Sequence, residues 1–233
     1  MKDFDLLAIL LKPDFGAMLL HGVAMTLKIA IGSWLLAMSI AVVLLVVRLS
    51  ANPVAERAVA AYVSYHRNVP TLVQLMLWYF GISSLLPDGV QAWLSEHSAE
   101  ALFSIIALGL CQAAYFSEDL RSGLRAIPSG QTEAARALGH GFVGTMRHVL
   151  MPQAVRNALP ALINHSVSLF KNSSLAMAIG VAELTHAVKE VENQSFQTFE
   201  TYLIATIAYL VCSLAIMAAG AALNRRVSIS GAR

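Results

Sequence analysis

Residues 131–154 read QTEAARALGHGFVGTMRHVLMPQA, and strongly apolar runs flank them on both sides. The stretch carries an acid, an Ala-rich segment, glycines and a proline. A soluble chain would need no explanation for it. Here 57% of the 233 residues are hydrophobic and 13% are charged, against about 25% charged in an ordinary soluble domain. That deficit, with the length of the apolar runs, predicts a multi-span membrane protein. The polar stretch then reads as a link between two spans.

A membrane helix needs about 20 mostly apolar residues. Five segments qualify, at about 22–47, 59–86, 101–120, 155–181 and 201–223. The chain is therefore read as one all-α membrane domain over residues 1–233, with a link at about 121–154. Charge orients it. Arg48, Arg57 and Arg67 lie around the first and second spans. Arg121, Arg125, Arg136, Arg147 and Arg156 lie around the link, and Arg225, Arg226 and Arg233 follow the fifth span. Five spans place all eleven arginines on one side; an even number would break the pattern. The other side is mostly acidic, from Asp3, Asp5 and Asp14 to Glu183, Glu190, Glu192 and Glu200. Positive loops stay cytoplasmic, so the link and the C-terminus are expected inside and the N-terminus outside. The opening MKDFDLLAILLKPD has acids where a secretory signal is basic. It is expected to remain as a short interfacial helix.

The link is long for a helix connection, usually about 2–8 residues, yet its residues are those of an ordered one. Pro128, Ser129 and Gly130 break the preceding helix. Ser129 or Thr132 is expected to cap a new one, with Glu133 in its first turn, where the helix dipole favours an acid. Ala134, Ala135 and Ala137 favour helix, and Gly139 stands where a left-handed terminating residue is expected. A second short helix is expected over 142–150, ended by Pro152. Leu138, Phe142, Met146, Val149 and Leu150 form one apolar face. Helices this short are marginal alone, so the face must dock on the membrane, the spans or a partner.

Glu133-Ala134-Ala135, then Gly139, then Leu150-Met151-Pro152 resembles the E-A-A signature of permease subunits in ATP-binding-cassette importers. Met151 stands where that signature more often has Leu. Further strings resemble the polar amino-acid branch: Arg67-Asn68-Val69-Pro70 with Gln74 and Tyr79-Phe80, Ala114-Tyr115-Phe116-Ser117-Glu118 with Arg121 and Gly123, Ile127-Pro128-Ser129-Gly130-Gln131, and Lys171-Asn172-Ser173-Ser174-Leu175. The Arg-Asn-Val-Pro and Lys-Asn-Ser variants look most like glutamate/aspartate permeases.

The resemblance implies the type I importer permease fold, five transmembrane helices with a cytoplasmic coupling helix, in a bacterial inner membrane. It implies that Glu133, Ala134, Ala135, Gly139 and Pro152 belong to the segment that docks on a dimer of separate ATPase subunits. It also implies a second permease subunit, a paralogue or another copy, and a periplasmic amino-acid-binding protein. Closure of the ATPases around ATP would drive alternating access and move cargo from periplasm to cytoplasm. The chain itself has no G-x-x-x-x-G-K-[ST] phosphate loop, so ATP and magnesium are expected on the partner, with no cofactor in this chain. No H-E-x-x-H and no G-x-S-x-G supports an intramembrane enzyme. The histidines have no metal-ligand spacing and are expected at interfaces or surfaces. Nothing in the small net charge of +2 suggests nucleic acid. A stand-alone channel or secondary carrier would not need a coupling signature. An importer for glutamine, histidine, arginine or cystine is the nearer alternative.

The fourth span is interrupted by Asn164, His165, Ser166, Ser168, Lys171, Asn172, Ser173 and Ser174. A charge within a membrane helix faces protein or water. The cluster is read as a discontinuous helix beside a central path, with Lys171 near mid-span and Asn164, Lys171, Asn172, Ser173 and Ser174 as pathway residues; polar helix packing is the alternative. Arg67 and Gln74 join the pathway set, Arg67 either shaping a gate or anchoring at the interface. Glu118 and Arg121 are expected to pair within one helix. Trp34, Trp78 and Trp93 are expected to face lipid or the interface.

Overall fold

The computed structural model describes residues 9–10, 12–50 and 52–227. Most of the expected N-terminal interfacial helix, and Arg233, lie outside the described residues. The described chain is all α. Helix α1 (Pro13–Leu49) opens on a proline whose fixed φ suits a first helical turn. Helix α2 (Pro53–Asn68) is capped by Asn52, whose Oδ1 accepts from Val54 N at 2.9 Å. Then come α3 (Thr71–Met76), extended by a π-helical turn over Leu77–Ile82 and a 3-10 turn over Ser83–Leu85, and α4 (Asp88–Glu96). Helix α5 (Ala99–Arg125) is followed by two short link helices, α6 (Ser129–Ala137) and α7 (Phe142–Thr145). Helix α8 (Met151–Asn172) continues as a 3-10 turn over Ser173–Ile179. Helices α9 (Leu184–Ser195) and α10 (Thr198–Val227) complete the bundle.

Among the described residues three helices are long and apolar enough to cross a membrane, α1, α5 and α10. The other two expected spans have a different form. Segment 59–86 is two helices, because Pro70 holds Val69 extended at φ −96°, ψ 132°. The carbonyls freed by the break are satisfied locally. Gln74 Nε2 donates to the carbonyls of His66 at 3.1 Å and Val69 at 2.8 Å, and His66 Nδ1 lies 2.6 Å from Gln74 Oε1. In segment 155–181 the helix carries Arg156, Asn157, Asn164, His165 and Lys171, and its α-helical part ends at Asn172.

Helix α5 is the central post. Its small residues let neighbours approach, as in membrane interfaces generally. Ala37, Ala41 and Leu45 of α1 pack with Ala113, Phe116 and Leu120 of α5 and Ala158 and Leu162 of α8. A second cluster joins Ile29, Leu75, Leu108, Leu169 and Ile179. Gly123 marks the tightest crossing: a Cβ there would lie 2.3 Å from the Ala154 carbonyl oxygen. Helix α9 is tied to α10 through a buried acid and to α1 through a backbone bond beside it. Glu183 caps α9, accepting from Thr185 N and His186 N at 3.0 Å each and from Tyr209 Oη at 2.8 Å. Beside it, Leu184 N donates to Thr26 Oγ1 at 3.0 Å.

The link is ordered, with two departures from expectation. Helix α6 starts at Ser129 directly after Pro128, with no side-chain cap from Ser129 or Thr132, so Glu133 falls beyond the first turn. Pro128 presets the entry and replaces the expected cap. Pro152 does not end the second link helix. Residues 142–172 are continuous helix, because a π-helical turn over Met146–Leu150 carries the bonding past the proline, with Met151 N donating to Met146 O.

Candidate functional site

At the end of α6, Gly139 adopts φ +85°. His140 N donates to Ala135 O at 3.0 Å and Gly139 N to Arg136 O at 2.9 Å, the paired bonds of a helix-terminating motif. The turn aims the chain into α7 and leaves apolar side chains in the open. Leu138 is 81% exposed, Phe142 61% and Val143 74%. Of the expected apolar face, Leu138 and Phe142 are exposed, while Met146, Val149 and Leu150 are half-buried. Val143, not anticipated from the sequence, joins the exposed group. Glu133, Ala134, Gly139 and Pro152 are each exposed, and Ala135 is buried. Gln153 Nε2 donates to Gln131 Oε1 at 3.3 Å, and Asn157 Nδ2 to Gly123 O at 3.1 Å. These bonds tie the link to α8 and α8 to α5.

The expected pathway residues do not all meet. Asn164 and Lys171 are exposed, with half-buried Ser168 between them, at spacings of four and seven that share one helical face. Lys171 lies in the last turn of α8, where the chain passes into the 3-10 turn, with half-buried Asn172 beside it. Ser173 is fully buried, its hydroxyl bonded to Phe170 O at 2.6 Å, and Ser174 bonds Lys171 O at 2.8 Å. Gln74 is buried with its amide committed to the break before α3. Arg67 stacks over the Tyr115 ring, 5.5 Å from its centroid.

Two charged groupings went unread in the sequence. Asp119 Oδ2 lies 2.6 Å from His165 Nδ1, with the Tyr115 ring against the same imidazole. Glu118 pairs with Arg121 as expected, at 3.2 Å, and also with Arg48 of α1 at 2.5 Å. A buried acid inside an apolar run signals a partner, so Asp119 was the available clue. The histidine expectation is corrected accordingly: His66 is buried and His165 is paired. Trp34 is partly turned inward, its Nε1 donating to Ser166 Oγ at 2.9 Å. No cluster able to hold a metal occurs among the described residues.

An apolar bundle with an ordered, protruding link and a polar helix face is the build of a membrane transport subunit. Residues 35–229 match the family described as binding-protein-dependent transport system inner membrane component, and the chain belongs to that family. It is 35% identical to the probable amino-acid permease protein YxeN of Bacillus subtilis (strain 168), over 84% of this chain and 85% of that one. The arginine transport system permease protein ArtQ of the same organism is 32% identical, over 90% and 92%. The glutamate/aspartate import permease protein GltJ of Escherichia coli (strain K12) is 29% identical, over 90% and 87%. Among solved structures, an amino acid ABC transporter crystallised with histidines superposes with a TM-score of 0.83 at 28% identity, over 96% of this chain and 99% of that one. An inward-facing MetNI methionine ABC transporter gives 0.74 at 21% identity, over 94% and 100%, a likeness of fold.

Proposed function

We propose that this chain is the permease subunit of an ATP-driven amino-acid importer, with glutamate or aspartate as cargo. Helices α6 and α7 dock on a separate ATPase. A second permease subunit completes the path, and an external binding protein delivers the cargo. The N-terminus faces the periplasm and the link faces the cytoplasm. The observation that carries this reading is the exposure of Leu138, Phe142 and Val143 on a link shaped by the hydrogen-bonded Gly139 turn. Such exposure marks a partner surface. The polar face through Asn164, Ser168 and Lys171 supports a path for an anionic cargo.

The likeness to the arginine permease supports a second reading, the same importer with a cationic cargo. Reconstitution with the cognate ATPase, second permease and binding protein separates the two. Labelled glutamate uptake that requires ATP and the binding protein is expected. Arginine uptake under the same conditions would replace the cargo assignment. Uptake without ATP would replace the importer reading with a secondary carrier.

A further inference from the structure

A cleft of about 360 Å³ opens between the end of α1, the second half of α2 and α5. Small-molecule sites occupy about 300–1,000 Å³. Its polar lining is Arg48, Ser64, Arg67, Asn68 and Glu118, and the charges do not cancel. Glu118 is the one carboxylate in that lining, and both of its oxygens are taken, by Arg48 Nη1 and Arg121 Nη1. The Arg48 side chain is 8% exposed. Its Nε is buried with no hydrogen-bond partner among the described residues. Arg67 lies over the Tyr115 ring and has no carboxylate partner among the described residues. Ser64 Oγ accepts from Asn68 Nδ2 at 3.4 Å, which leaves its O–H free to donate.

Arg48 and Arg121 therefore share one saturated carboxylate, and Arg67 stands in the same cleft lining as Arg48 with none among the described residues. Buried charged donors are costly without acceptors, and guanidinium suits the planar oxygens of carboxylate and phosphate. We propose that this cleft is an oxyanion site, taking a carboxylate or phosphate group on Arg67 and the Ser64 hydroxyl, beside the positive charge of Arg48. Two sources carry that chemistry. Arg48 lies in the last turn of α1, on the arginine-rich side of the chain, where basic pockets between helices meet acidic lipid headgroups. The other source is the carboxylate of an amino acid on its way out of the path.

The test uses the intact transporter in phosphatidylcholine nanodiscs, without ATP or binding protein. It is titrated separately with short-chain phosphatidylglycerol and with L-glutamate. Saturable binding of one probe is expected. Arg67→Gln should weaken it about tenfold or more, the loss of a charge-assisted contact, and Arg67→Lys should restore part. Arg67 belongs to no ion pair among the described residues, so its removal strands none of their charges; size-exclusion of the variant complex checks assembly. Lipid binding alone assigns a headgroup, and glutamate binding that lipid competes away assigns a shared site. Binding of neither probe, or equal binding by wild type and Arg67→Gln, overturns the proposal. The lipid arm holds whatever the cargo. The glutamate arm rests on acidic cargo, which ATP-driven uptake tests by itself.

Discussion

Gly139 is the residue on which the link turns, and only its lack of a Cβ makes φ +85° inexpensive. A β-branched side chain there costs about 1–2 kcal/mol and redirects α7. Gly139→Val is expected to lower ATP-driven uptake about tenfold, the factor that 1.4 kcal/mol represents. Insertion of the bundle, read by protease accessibility in membranes, should not change. Normal uptake would remove the link from the coupling path. Lys171→Ala is expected to raise the KM for uptake with little change in expression, and Asn172→Ala to do so more weakly. Unchanged kinetics in both variants would take this face out of the cargo path. At this scale the sequence is partly readable. A glycine closing an Ala-rich helix announces its own conformation. Asp119 and His165 lie 46 residues apart, and nothing local in either neighbourhood names the other.

Among the elements, the break between α2 and α3 shows what hydropathy hides. A window average over an apolar run stays high across a proline, so 59–86 reads as one span although Pro70 was in view. Gln74, read as a pathway residue, instead supplies the donors that the break leaves wanting. Gln74→Leu is expected to strand buried carbonyls at about 1–3 kcal/mol. For a chain of this size that lowers the Tm by about 2–4 °C per kcal/mol, measurable on the purified complex. An unchanged Tm would mean that another group, such as Cys111 Sγ at 3.6 Å from His66 O, takes over the bonding. The apolar runs of α1, α5 and α10 were legible because nothing in them competes with helix. The bounds of α8 were not, because its polar face breaks the hydropathy signal while its helical bonding continues.

Across the whole molecule, Glu183 ties α9 to α10, beside the bond that ties α9 to α1. Burial pushes its carboxyl above the ordinary value of 4.5, against the pull of its hydrogen bonds to Thr185, Tyr209 and His186. A raised folded-state pKa favours the protonated form in the fold. Its contribution is therefore fully present below the unfolded value and is lost as pH rises through the folded one. Glu183→Gln keeps an uncharged cap at every pH. Relative to wild type, the variant is expected to gain stability between pH 5 and pH 8, read as a difference in Tm at the two values. A constant difference would assign Glu183 a purely geometric role.

The unbroken run from Phe142 to Asn172 has a mechanical consequence. It is a beam, and its tightest support is where Gly123 meets Ala154 and Ala158. Measured from midway between those two contacts, the arm to Phe142 is about 21 Å and the arm to Lys171 about 22 Å, at 1.5 Å per residue. The arms are nearly equal. If the link is the coupling element proposed above, a push on it is expected to return at Lys171 with a similar throw and the opposite sense, as on a seesaw.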